Sequence, residues 1–343
     1  MTTVLENWPV LAGLADSVAS ARRMIDKLEE CVLSLPSELA LRSMCHPRVT
    51  RVGAEMKPRE PNVLPPRVVL NAHGLAIVDG LHSDGVYTTS LSTLALSGDR
   101  GMFEDAKALS VQLAQRSRHL ANKKRAILTA TANDVLAMPS LFNWGLDDRV
   151  LDIVESYLGE SCAYDGLAYY YSRADGREVS TRKWHRDRED WRMVKVAIYI
   201  NNVCEESGPL EVLEPEIQKQ LDRELSWPYQ TVTQDRLTRM AGLAATANLA
   251  KSITGIDGTV IFVDTARCHH RGKPPTTCDR SAIFYSYFPS SPRHPFCCER
   301  STLSRQQLRQ LAEELPQRQK DCVRWRDRLP FTSRLIPRNR MTV

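Results

Sequence analysis

No run of the 343-residue chain reaches the roughly 18 consecutive apolar residues that a membrane-spanning helix needs, which argues against a helical membrane protein. The opening residues, MTTVLENWPVLAGLADSV, lack the basic start and long apolar stretch of a secretory leader, so a cytoplasmic protein is expected. None of the nine cysteines forms a Cys-x-x-Cys pair, which removes support for a zinc ribbon; reduced thiols are expected, including the adjacent Cys297 and Cys298. Neither sign of charge dominates. With 46 basic and 41 acidic residues, net +5, the balance argues against a nucleic-acid partner. There is no internal repeat and no low-complexity segment. What remains is an ordinary globular composition, 42% apolar, long enough for one large domain or two smaller ones.

Residues 14–33 place Leu14, Val18, Ala21, Met24, Ile25, Leu28 and Val32 at helical spacing, and 46–66 carry five prolines and read as an extended linker. Helices are predicted over 99–118 and 145–158, the second ending at Gly159. From about residue 162 the pattern changes. Segments 164–172, 193–202, 258–264 and 281–288 are short, rich in Tyr, Val, Ile and Phe, and read as strands. In MVKVAIYIN, Val194, Val196, Ile198 and Ile200 share one face while Lys195, Ala197 and Tyr199 share the other, which suits a strand between a core and a polar cavity. Residues 214–250 form a polar, helical excursion. A C-terminal helix starts near Ser304, followed by a basic tail, 334–343. Helices first, then strands, then a helix do not make a doubly wound parallel sheet; a mainly β fold, an antiparallel barrel or jelly roll with flanking helices, fits better. The expected divisions are 1–66 (helix and linker), 67–300 (the β domain with its excursion) and 301–343.

The chemistry concentrates in Lys183-Trp184-His185-Arg186-Asp187-Arg188-Glu189-Asp190-Trp191. In an extended His-x-Asp both side chains point the same way, so an imidazole and a carboxylate can take adjacent positions on a metal. A second histidine would complete a 2-His-1-carboxylate facial triad with three positions open. The alternative for such a pair is a surface ion pair beside a turn. The second half of the chain offers GTVIFVDTARCHHRG: a glycine turn, an apolar strand and two adjacent histidines, His269 and His270. In a strand only one of the two can face the centre. Ten residues after His270, Arg280 precedes the strand SAIFYSYF, where a barrel could return it beside the metal to hold a distal carboxylate.

The stretch WHRDREDWRMVKVAIYINNVCEESGPLEVLE and the later GTVIFVDTARCHHRGKPP with its downstream arginine resemble the core of the phytanoyl-CoA dioxygenase (PhyH) family. The resemblance covers about residues 160–290. It implies a double-stranded β-helix (cupin-like jelly roll) core and a dependence on iron(II), 2-oxoglutarate and dioxygen. It implies His185, Asp187 and His270 as metal ligands, Arg280 as the anchor for the far carboxylate of 2-oxoglutarate, and Trp191 as a cosubstrate contact. Where one branch of the family has a serine two residues after its distal histidine, this chain has Gly272. The family's Pro-Gly-Ser-His after the Gly-Pro turn is also missing. A carboxylate at 187 favours hydroxylation, desaturation or cyclisation over halogenation, for which related enzymes carry a small residue there.

Lys195, on the polar face of its strand, is a candidate to hold an anion; a solvent-facing lysine is the plain alternative. Arg173, Arg177, Arg182, Lys183, Arg186 and Arg188 form either a solvated face or the mouth of a pocket for a small, anionic or carrier-bound substrate. Tyr169, Tyr170 and Tyr171 read as strand packing, Trp184 as core, and His73, His82 and His294 as surface or loop residues. A catalytically inactive binding or scaffold barrel, or a zinc hydrolase using the same ligands, are the competing readings.

Overall fold

The structure, a computed structural model, describes residues 32–45, 69–119, 125–242, 249–298, 301–329 and 336. The predicted linker 46–66 lies outside these residues. So do the predicted helix 14–33, apart from its last two positions, which open a helix at 32–44, and the tail, apart from residue 336. Among the described residues no helix is long and apolar enough to cross a membrane.

Among the described residues nine strands form two antiparallel sheets: β1 (Val86–Ser90), β2 (Ile127–Thr129), β3 (Cys162–Ser172), β4 (Val194–Tyr199), β5 (Leu210–Leu213), β6 (Ala250–Ile253), β7 (Thr259–Val263), β8 (His270–Gly272) and β9 (Arg280–Pro289). The larger sheet runs β1-β7-β4-β9-β3-β2 and the smaller β6-β5-β8. A bridge from His185 to His270 adds the 184–187 segment beside β8. From β3 onward the chain therefore passes large, small, large, small, small, large, small, large. That winding is a double-stranded β-helix, with β1 and β2 appended at the edges of the large sheet.

Period-two alternation sorts the side chains. Val194, Val196 and Ile198 of β4 join Tyr169, Ile283, Tyr285 and Tyr287 on the outer face of the large sheet, in one core with the helices. Ala197 and Tyr199 point the other way, to Ile261, Val263, Ala282, Leu210 and Val212, and fill the space between the sheets. Three of the outer tyrosines bury their hydroxyls without losing hydrogen bonds, while the buried Tyr285 hydroxyl has no partner among the described residues. Tyr164 donates to Phe142 O at 2.9 Å, Tyr169 to Ala106 O at 2.8 Å and Tyr287 to Gly145 O at 2.6 Å.

The helices follow their local signals. Asp99–His119 buries Met102, Ala106, Leu109 and Leu113. Asp148–Leu158 starts later than its periodicity suggests, because Asp147 caps it and residues 145–147 turn from the preceding helix Pro139–Trp144. It ends at Gly159, whose φ of 75° glycine adopts without strain. The excursion supplies two helices, Pro215–Glu224 and Gln234–Ala241, whose Leu221 and Leu237 pack with Leu213 and Val232 on Trp184. Ser304 forms a capping box with Gln307 at the start of Arg305–Ala312. A further helix, Gln317–Val323, docks through Arg318 on Asp152 and Glu155, each at 2.7 Å.

One ion pair makes stability depend on acid. Arg116 grips Asp134 through two 2.7 Å bonds, tying helix 99–119 to the capping box that opens Ala132–Ala137. The Arg116 hydrogen bonds hold the Asp134 carboxyl down to about 2, against an ordinary 3.8. A depressed carboxyl contributes stability above its unfolded value and loses it as pH falls through the folded one. With Arg116 partly exposed, the contribution is about 1–2 kcal/mol. Asp134→Asn should therefore cost stability at pH 6, with the difference from wild type vanishing near pH 2 in denaturant titrations. A pH-independent difference would contradict this.

Candidate metal centre

The two histidines meet because their backbones pair. His185 N donates to His270 O at 3.1 Å, and His270 N to His185 O at 3.0 Å. Their rings stand 4.4 Å apart. His185 Nδ1 lies 2.7 Å from Lys183 O and His270 Nδ1 3.1 Å from Cys268 O. A carbonyl accepts only, so each Nδ1 carries a proton, which leaves Nε2 as the ligand atom of a neutral ring. Asp187, anchored by its N–H to Thr265 O at 2.9 Å, brings Oδ2 to 3.8 Å from His270 Nε2. One potential ligand atom from each of His185, Asp187 and His270 lies within 4.8 Å of the others, and all three residues are buried. Two imidazoles and a carboxylate converging in this way form a donor set for a divalent transition metal.

The electrostatics suit a cation. Burial, and then the neighbouring His185, push the His270 imidazole down to about 3, so it stays neutral. Burial alone would raise the Asp187 carboxyl, but Lys195 and the two imidazoles outweigh it and hold it well below the usual range. Lys195 reaches in from β4 and places Nζ 2.6 Å from Asp187 Oδ2. Burial would lower this ammonium, but Asp187 and then Glu189 raise it more.

His269 faces away. It is fully buried on the opposite side of β8, with neither ring nitrogen hydrogen-bonded and Asp222 Oδ1 3.8 Å from Nδ1. Burial, then Arg186, push it down to about 2.

Arg280 opens β9 opposite Ser172. It is 4% exposed, its Nη2 is 3.5 Å from Ser172 Oγ, and Nε has no hydrogen-bond partner. No carboxylate among the described residues pairs with it. A Cβ on Gly272 would come within 2.4 Å of Nη2, so the guanidinium lies against the strand two residues beyond His270. Two residues on a strand share a face and span about 7 Å. Burial lowers the guanidinium to about 10, still charged at neutral pH. Among the described residues the result is a buried cation without a counter-ion, beside the histidine–carboxylate cluster.

The structure does not bring Trp191 to this cluster. Its ring is 47% exposed and stacks under the Arg293 guanidinium at 3.4 Å. The run from 188 to 193 turns rather than continuing as a strand, which takes the indole outward. The arginine-rich run is largely neutralised. Arg177 and Arg182 hold Asp175 at 2.7 and 2.5 Å, Arg186 holds Asp222 at 2.8 Å, and Arg188 holds Glu38 at 2.5 Å. Arg182 is fully buried and also donates to Ala126 O and Arg173 O, so it supports the loop. Trp184 is core, sandwiched by Arg271 at 4.5 Å. Of the three tyrosines, Tyr170 alone lies against the inner-face Phe284, with ring centres 5.5 Å apart. His73 and His82 sit on helix Ala72–Ser83, half-buried and exposed. His294 is not a surface residue: it is 1% exposed, Nδ1 lying 2.7 Å from Arg188 O.

A second group of potential ligands, Glu155, Cys162 and Cys322, lies outside the barrel. Its carboxylate is already held by Arg318 at 2.7 Å, a cation where a metal would need none. The hydrogen bond from Cys322, then burial, push the Cys162 thiol well up, away from the thiolate that metal binding needs.

No protein-family profile and no curated protein sequence matches the chain. Solved structures do. HygX from Streptomyces hygroscopicus with nickel and 2-oxoglutarate bound matches at 13% identity and a TM-score of 0.42, over 65% of this chain and 88% of that chain. The epimerase SnoN in complex with Fe3+, alpha ketoglutarate and nogalamycin RO matches at 12% identity and 0.46, over 72% and 91%. EctD from S. alaskensis with 2-oxoglutarate and 5-hydroxyectoine matches at 17% identity and 0.42, over 64% and 77%.

Proposed function

We propose that this protein is an iron(II)- and 2-oxoglutarate-dependent oxygenase that hydroxylates an unactivated C–H bond of a small molecule. The observation that carries the reading is the pairing of two features: a buried His185–Asp187–His270 donor set, and a buried Arg280 that lacks a counter-ion among the described residues. A buried guanidinium is costly unless something anionic meets it. A dicarboxylate with one end on the metal and the other on Arg280 answers both features at once.

The residues fit an iron ion. His185 and His270 would hold it through Nε2, with Lys183 O and Cys268 O fixing their tautomers, and Asp187 would supply the carboxylate. Iron, when bound, supplies the activation of dioxygen coupled to oxidative decarboxylation of 2-oxoglutarate. The chain's own work is placement. Arg280 would grip the far carboxylate of the cosubstrate, and Gly272 leaves room for that guanidinium. Tyr170 and Phe284, together on the inner face, would line the apolar wall beside the substrate and keep water out.

Anaerobically purified protein given iron(II) and 2-oxoglutarate should form succinate when oxygen is admitted, even without substrate. Metal removal with a chelator should abolish the turnover and iron(II) should restore it. Absence of both succinate and metal-dependent 2-oxoglutarate binding would leave a non-catalytic barrel. Zinc-supported hydrolysis without succinate would favour a hydrolase.

A further inference from the structure

Lys195 has no place in the roles above, yet it is the cation in contact with the carboxylate of the donor set. Its Nζ is 2.6 Å from Asp187 Oδ2, and that same oxygen is the one 3.8 Å from His270 Nε2. The pair is shielded: the Lys195 side chain is 19% exposed and that of Asp187 6%. Solvent therefore does little to weaken charge interactions at this carboxylate. The Asp187 backbone is held independently through Thr265 O, so the lysine is not needed to bring the residue to the site. Among the described residues Lys195 forms no other ion pair; the buried Glu189, two residues beyond Asp187, is the next carboxylate in its field.

We propose that the Lys195 ammonium is a resident competitor of the metal for Asp187. It neutralises the carboxylate in the metal-free protein, and it weakens metal binding because an arriving ion must share or displace it. This rests on the reading of His185, Asp187 and His270 as a metal centre. A mere clamp would make the opposite prediction. If Lys195 served to orient Asp187 for the metal, its loss would weaken metal binding; as a competitor, its loss strengthens it. The same logic reverses for the empty protein, where removing Lys195 leaves a buried carboxylate without its ammonium partner.

The test uses the full chain with Mn2+ alone, read by calorimetry and by melting temperature, without 2-oxoglutarate. Lys195→Met should melt below wild type when metal-free, yet bind Mn2+ about tenfold tighter or more, so that Mn2+ raises its melting temperature by a larger step. Lys195→Arg keeps the charge and should bind Mn2+ like wild type. Unchanged or weaker Mn2+ binding by Lys195→Met overturns the competition while leaving the metal centre standing. Mn2+ binding that survives His270→Ala at wild-type strength places the ion elsewhere and overturns both.

Discussion

His270→Ala abolishes turnover and most iron(II) binding, whereas His269→Ala retains a substantial part of both: that is the expected outcome for the adjacent histidines. Only His270 presents an Nε2 toward Asp187, at 3.8 Å, with its Nδ1 tied to Cys268 O. His269 immediately precedes this short strand and faces the other way, buried among Gln218, Asp222 and Arg186. Loss of a group that only orients a ligand costs about 10–100-fold in metal affinity, and loss of a ligand should cost more. His269→Ala leaves a cavity in a packed region, so its penalty should appear in melting temperature rather than in iron binding. Metal titration of both variants decides it. A His269→Ala protein that loses iron while His270→Ala keeps it would reverse the assignment.

The second large effect belongs to Arg280. Truncating one member of a buried, charged contact typically costs about 2–5 kcal/mol, so Arg280→Met should raise the apparent 2-oxoglutarate constant by about 30-fold to several-thousand-fold. Iron(II) affinity measured without cosubstrate should change little. Because the guanidinium has no ion-pair partner among the described residues, the variant should not lose stability in the ligand-free state and has scope to gain it. A guanidinium that served only to brace Ser172 and β9 would behave otherwise: its loss would lower the melting temperature and leave the 2-oxoglutarate constant unchanged.

Much of the centre is legible in local spacing. His185 and Asp187 share a face because they are two apart, and the same parity groups Lys195 with Tyr199 and sets both apart from Val194 and Val196. The choice between His269 and His270 is not legible that way. Residues 265–268 turn, with Cys268 N bonded to Asp264 O at 3.0 Å, and a turn resets the alternation. Trp191 shows the same failure from the other side. Its even offset from Asp187 would place it inside only if the chain stayed extended, but Asp190 caps a bend by accepting from the N–H groups of Trp191 and Arg293. The strands that close the small sheet, four, four and three residues long, carry too few residues for a period to emerge. The approach of Arg280 to Gly272 and to Ser172, 108 residues away, is set by sheet register and has no local signature. The arginine-rich run misleads for a related reason: Glu38 and Asp222, which neutralise part of it, are distant in sequence.

Gly272 constrains how this protein can diversify. The volume a first carbon would occupy there is the volume the Arg280 guanidinium already fills. Positions 272 and 280 are therefore coupled. A side chain acquired at 272 displaces the Arg280 guanidinium, the far end of a flexible side chain, and not the backbone, so a substitution at 272 should be felt in 2-oxoglutarate binding before it is felt in folding. Gly272→Ala and Arg280→Met combined should then show less than the sum of their separate effects on that binding.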